Sequence, residues 1–340
     1  MRSHEVLGGI VWTALTIFLA LVSFVVAMFC LFPPQERTVF KRPKRITKRE
    51  KTAKVIVKAI KKRKRAKPKK RVPKRARRQK VSVLTFHDLS HRREAEALVT
   101  PRNEFTKMVL QLRTNGYQSF FASQVPYLTK GYDVGLKKGC KPVIYTFDDG
   151  YRNNYEILFP LLKRHKLKAT IFLIVGKVVE ERSASSGNAL TWDEVREMAA
   201  SGLVEFGSHT YSMHKNLVTY IRYGGNKKGR MKRWRELYRD LKVAKRVLEN
   251  KVGLPVTTLA WPHGKRTRLH IKLAKKAGYK LVFNTQFGIN VPGHTNFGDI
   301  RRISASSRWM SAEALLKRLW LAERGRGLDG KPRQFVWATQ

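Results

Sequence analysis

VIYTFDDGYRNNY, residues 143–155, runs apolar through Phe147 and then sets Asp148 and Asp149 side by side ahead of Gly150. Neighbouring residues on a strand point to opposite faces. Alone, the stretch reads as an ordinary turn, because Asp and Gly accept the backbone angles that a turn needs. Two carboxylates at a strand end also suit a site in which each has a different task. The rest of the chain decides between these readings.

Outward from this stretch, short apolar runs alternate with amphipathic patterns. Strand-like runs fall at 81–86, 118–122, 141–147, 169–175, 204–208, 257–261, 280–285 and 301–305. Thr100-Pro101 opens a helix, with Pro at its first position, and Gly116 closes it. Thr191 and Glu194 form a capping box, and that helix ends at Gly202. Trp234, Leu237, Leu241, Ala244 and Leu248 mark one apolar stripe that stops near Gly253. Strand and helix alternating seven or eight times predict an α/β fold, an irregular (β/α) barrel of seven or eight parallel strands over residues 81–340. A doubly wound open sheet is the alternative.

The residues before this domain differ in kind. Leu7–Phe32 is 26 residues without a charge, long enough to span a bilayer, and predicts one transmembrane anchor within residues 1–32. Residues 35–80 hold 24 Lys/Arg and two acids. Residues 33–80 therefore read as a disordered polybasic linker, and 37–80 as a tether to an anionic surface or wall polymer. The chain carries 71 Lys+Arg against 24 Asp+Glu, formally +47. Cys30 and Cys140 suggest neither a disulfide framework nor a zinc-thiolate site.

The unusual polar residues gather where predicted strands end. His87 and Asp88 follow the first, Asp148 and Asp149 the third, His209 and His214 the fifth, and Trp261-Pro262-His263 the sixth. In a barrel, chemistry gathers at those ends. His209 and His214 are too far apart in phase to share one face of a helix, and their odd separation splits them on a strand. A strand end running into a loop can bring them together. Two His and one Asp make a common ligand set for catalytic zinc. The other carboxylate is then free to take a proton.

At these residues the chain resembles the polysaccharide deacetylase family, the NodB-homology or carbohydrate esterase family four domain. TFDDGY at 146–151 is similar to its first motif, SHTYSMH at 208–214 to its second and LAWPHG at 259–264 to its third. The four-residue gap between the histidines, the Trp-Pro and VLTFHDLS at 83–90 resemble the biofilm poly-N-acetylglucosamine deacetylase branch. Ala260 stands at the position of the family's third-motif arginine and His263 at that of its tyrosine. The family's late Leu-x-His motif is not evident at 301–320.

The resemblance implies metal-assisted amide hydrolysis on an acetylated glucosamine polymer. It implies that Asp149, His209 and His214 hold a divalent metal, zinc first and other transition metals after it. Asp148 is then the general base and His87 the proton donor. Trp261, Pro262, His263 and Tyr151 become the substrate and oxyanion residues, with a backbone N–H near His263 facing the oxyanion. Trp261 is equally readable as a core aromatic. Such a substrate lies outside the cytoplasm, so the catalytic domain is expected there, single-pass and membrane-anchored. The seven Lys/Arg from Arg37 to Arg49 argue for the opposite orientation. The remaining alternatives are a peptidoglycan N-acetylglucosamine deacetylase, an inactive tethered glycan- or polyanion-binding module and, less favoured, a nucleic-acid enzyme. A two-metal nucleic-acid site would want more carboxylates than histidines.

Overall fold

The structure, a computed structural model, describes residues 74–91, 97–183, 187–215, 217 and 227–332. The anchor expected within residues 1–32, Cys30 and the linker as far as residue 73 lie outside the described residues. Among the described residues no helix is long and apolar enough to cross a membrane.

Ten strands form. They are β1 (Ser82–Phe86), β2 (Asp88–Ser90), β3 (Val99–Pro101), β4 (Tyr117–Phe120), β5 (Lys141–Phe147), β6 (Ala169–Leu173), β7 (Val204–Ser208), β8 (Thr258–Ala260), β9 (Leu281–Phe283) and β10 (Ile303–Ser304). Seven α-helices of the described residues lie among them: α1 (Arg102–Thr114), α2 (Val125–Lys130), α3 (Phe159–His165), α4 (Trp192–Ala200), α5 (Lys227–Val252), α6 (Arg268–Lys276) and α7 (Ala312–Glu323). All eight strand-like runs are strands. The β2–β3 pair was not among the expected elements.

The main sheet is parallel throughout, in the order β10-β1-β5-β6-β7-β8-β9. One edge of β5 is shared: residues 141–144 pair with β4 and residues 145–147 with β6. The sheet curls. Phe283 of β9 bridges Ile300, and the same segment runs on into β10, which pairs with β1. One isolated bridge thus brings the far edge round toward the near one, and the sheet forms a curled half-barrel.

Period-two alternation explains the core. Val83, Ile144, Phe172 and Phe283 pack together inside the curl, while Leu84, Phe86, Tyr145 and Phe147 pack under the helices. Buried on both faces, such strands read as continuous apolar runs. The expected helix ends hold at the Thr191–Glu194 capping box, and Gly116, Gly202 and Gly253 all take positive φ. Pro101 differs. It is the N-cap of α1 and the last residue of β3, one position before the helix rather than its first residue. The domain also begins earlier than Val81, since Ala76 donates to Gly131 and Gln79 to Leu128.

Candidate active site

The parallel strands deliver His87 after β1, Asp148 and Asp149 after β5, His209 and His214 after β7, and His263 after β8. The β5 register answers what two adjacent acids do. Asp148 continues the alternation of Ile144 and Thr146 and points into the curl, where it is 2% exposed. Asp149 breaks that alternation with φ 73, a left-handed turn that brings its carboxylate to the same cavity. Gly150 follows at φ 80, and a Cβ there would strike Leu173 at 2.5 Å.

Asp149 Oδ1 lies 3.3 Å from His214 Nε2 and 3.5 Å from His209 Nε2. The three ligand atoms fall within 4.8 Å of one another. His209 Nδ1 lies 2.8 Å from the Ala260 carbonyl, which can only accept, so Nδ1 carries the proton and Nε2 is left with its lone pair. Burial holds the imidazole down to about 4, against the pull of Asp148 and Asp149, and keeps it neutral. Asp149 Oδ1 is buried without a hydrogen-bond donor. An orphaned carboxylate oxygen facing two imidazole nitrogens is a donor set that a divalent cation satisfies.

The loop between the histidines is clamped from below. Thr210 takes φ 74, and the next two amides both reach Asp240 of α5. Tyr211 N donates to Oδ2 at 2.8 Å, Ser212 N to Oδ1 at 2.9 Å and Ser212 Oγ to Oδ1 at 3.1 Å. Val175 N and Gly176 N donate to the Thr210 and Tyr211 carbonyls from the other side.

Asp148 has a different partner. Arg302, itself 1% exposed, donates Nη1 to Oδ1 and Nη2 to Oδ2, both at 2.8 Å. Burial pushes the Asp148 carboxyl up; the charge of Arg302, with those of His209 and His87 and the two bonds, outweighs it and holds the group below its ordinary range. Asp149 is lowered in the same sense, with burial opposed by the neighbouring imidazoles of His214, His209 and His87. Arg302 is fixed in turn: Nε donates to the Asn284 carbonyl at 2.7 Å and Nη1 to Thr146 Oγ1 at 3.3 Å. Asn284 Nδ2 donates to Asp299, which pairs with Arg266 at 2.5 and 2.7 Å.

The remaining expected residues divide. His87 is close enough for its charge to bear on both acids, and its Nδ1 is buried without a partner. His263 is exposed at φ 54, its ring 4.9 Å from that of His214, and burial of the ring lowers its pKa. Pro262 is buried and Tyr151 half-buried, bridged to Ala189. Trp261 is 0% exposed, its ring edge-on to His270. A sugar needs an open ring face, and this ring offers none; its burial favours the core reading. Asp88 accepts from Asn153, Asn188 and its own neighbour Leu89, a structural set.

Sequence reasoning missed Arg302 and Asp240. Arg302 occupies the role of partner to an acid from a different strand than the motif position held by Ala260. One arginine among 71 Lys+Arg carries no mark of its own. Asp240 had a usable signal: an acid beside Leu237 and Leu241 on the apolar side of a basic helix.

A curled parallel α/β sheet with an Asp-His-His cluster at its strand ends defines a class of scaffold, and comparison with known proteins makes it particular. Residues 135–282 match the polysaccharide deacetylase family. The poly-beta-1,6-N-acetyl-D-glucosamine N-deacetylase of Escherichia coli (strain K12) is 31% identical over 207 residues, 52% of this chain and 30% of its own length. The protein of the same name from Staphylococcus aureus (strain MRSA252) is 31% identical over 195 residues, 53% of this chain and 64% of its own. The chain thus spans less than two thirds of those relatives. Among solved structures, a de-N-acetylase from Aggregatibacter actinomycetemcomitans superposes with TM-score 0.61 at 22% identity, covering 71% of this chain and 100% of its own. IcaB from Ammonifex degensii gives 0.59 at 24% identity, covering 73% and 99%. At those identities the likeness is one of fold.

Proposed function

We propose that the domain is a metal-dependent hydrolase that removes N-acetyl groups from a poly-β-1,6-N-acetylglucosamine-like polysaccharide. One observation carries this reading: a buried, unpaired Asp149 oxygen and two imidazoles converge beside a second acid, Asp148, which an arginine keeps ionised. The activity for which the Escherichia coli and Staphylococcus aureus relatives are named suggests the polymer.

Asp149, His209 and His214 would hold the ion, with zinc the first candidate. A divalent cation bound there supplies Lewis-acid polarisation of the amide carbonyl and a more acidic attacking water. Everything else falls to this chain's own groups. Asp148, ionised and oriented by Arg302, accepts the proton of the attacking water. The N–H of His263, near the start of a one-turn helix whose first donors have no partner within it, faces the developing oxyanion. His87 hands a proton to the departing amine, so that the C–N bond breaks to give acetate and a free glucosamine. Tyr151 and His263 would bind a sugar hydroxyl.

The organisation that accompanies this function is a single anchor at residues 7–32 and a polybasic tether at 37–80. The catalytic domain would then work outside the cytoplasm, where such a polymer accumulates. Protease access to intact protoplasts tests that placement. For the chemistry, acetate release from defined β-1,6-linked oligomers is measured with chelated and zinc-reloaded protein. Release that needs metal and vanishes in Asp148→Asn supports the reading. Turnover of peptidoglycan fragments instead would move the substrate to the cell wall, and metal binding without acetate release would make the domain a binding module.

A further inference from the structure

The solvent side of α5 has an order that the site does not require. Lys228, Lys232, Arg235, Arg239, Lys242 and Arg246 are all exposed or solvent-facing on this helix. At 100° per residue they fall within an arc of about 80° and run about 27 Å along the axis. No acid lies on that arc. Of the helix's three acids, Asp240 is buried against the histidine loop, Glu249 pairs with Lys245, and Glu236 lies about 40° beyond the edge of the arc. None of the six is paired with a carboxylate among the described residues, whereas Arg182 and Arg266 elsewhere, and Lys251 on another face of the same helix, are.

Like charges three and four residues apart weaken a helix. A helix selected only to be soluble would alternate signs along this face. A second row lies alongside on α6, where Arg268, Lys272 and Lys276 are exposed. Tyr238 lies between the rows, 5.7 Å from Lys242 Nζ and 5.2 Å from Lys276 Nζ. The cationic face is therefore two helices wide.

We infer that the α5–α6 face docks the domain on an anionic lipid surface. Its partner carries negative charge over an area and not along a single track, because two rows of cations lie side by side. The face belongs to the flank of the curled sheet, as βα order requires of a helix that returns from β7 to β8, so docking leaves the strand ends open. The same chain carries 26 uncharged residues at Leu7–Phe32 followed by 24 Lys/Arg within residues 35–80, a sequence built to meet a bilayer. A polymer gaining free amines is repelled by this face, so the face is not a substrate track; that exclusion alone rests on the deacetylase reading.

The test is lysine footprinting of the full chain with an amine-reactive reagent, read by mass spectrometry. The chain is reconstituted in phosphatidylcholine vesicles with or without about one third phosphatidylglycerol, and 0.5 M salt is added to a third sample. Lys232, Lys242 and Lys272 should lose at least about threefold in reactivity in anionic vesicles alone, with recovery in salt, while Lys107 on α1 stays unchanged. The full chain with Lys232→Gln, Arg235→Gln, Arg239→Gln and Lys242→Gln should lose protection at Lys272 yet release acetate from a soluble oligomer at the original rate. Equal reactivity in both vesicle types would overturn the inference. So would protection by an oligonucleotide with none by anionic vesicles, which would make the face a nucleic-acid surface.

Discussion

Arg302 grips Asp148 through two parallel N–H···O bonds of 2.8 Å, inside a core that excludes both side chains from water. A carboxylate there would otherwise take up a proton, since burial disfavours its charged form. The pair sets the protonation state of the proposed base. Arg302→Gln should therefore raise the Asp148 pKa and shift the acid limb of the pH–rate profile to higher pH. At neutral pH the rate should fall roughly 10–100-fold. Arg302→Lys, which keeps charge but loses the fork, should fall between. Zinc affinity should move little in either. A profile that keeps its acid limb in Arg302→Gln would remove the arginine from this role.

Asp240 supports the ligands without touching them. Asp240→Asn loses the acceptor for one of two loop amides, and the His209–His214 separation relaxes. Zinc affinity by calorimetry should fall about 10–100-fold, the range seen for groups that orient ligands. Asp240→Glu should recover part of it. Unchanged affinity in a folded Asp240→Asn protein would show that the loop holds itself.

His270 gives a stability signature separate from catalysis. It sits three residues into the start of α6, where its Nδ1 accepts the Thr267 N–H at 3.1 Å and its own N–H reaches Thr267 Oγ1 at 3.4 Å. Burial holds its pKa at about 4, against 6.5 when free. A depressed histidine stabilises the fold in its neutral form. That contribution is whole above pH 6.5 and is lost as the pH falls toward 4. Between pH 7.5 and pH 5, wild type should lose about 1–2 kcal/mol more than His270→Gln, allowing for partial solvent screening. Denaturant melts of both proteins at the two pH values, with chelator present, check this. Parallel losses would mean that the imidazole titrates normally.

Gly264 holds the third motif in place. Its φ is 66, and a Cβ there would lie 2.0 Å from Thr285 Oγ1 and 2.6 Å from the Thr285 backbone nitrogen. Backbone cannot retreat as a flexible side chain does. Gly264→Ala should cost more than about 2 kcal/mol and displace His263. A melting temperature within a degree of wild type would contradict that packing.

What could be read beforehand follows from how local each cause is. Period-two runs such as KPVIYTF name their own strand, and Thr191–Glu194 names its own cap, because both signals lie within a few residues. The acid pair and the two histidines were legible as polar residues ending apolar runs. The short β2–β3 pair was not, since Asp88–Ser90 has neither length nor alternation. Pro101 fits a helix start and a strand end equally, and only the fold chose. Arg302 is silent because its meaning comes from Asp148, 154 residues away in the chain. Trp261 read as a possible sugar platform because burial is a tertiary property.

The account rests on Asp149, His209 and His214 acting as one ligand set. Zinc titration of chelator-stripped protein, followed calorimetrically, should show one tight site in wild type. It should lose that site in Asp149→Ala and in His209→Ala, and keep it in Asp148→Asn, which should release no acetate. Zinc bound equally well by all four proteins would place the ion elsewhere and contradict the account.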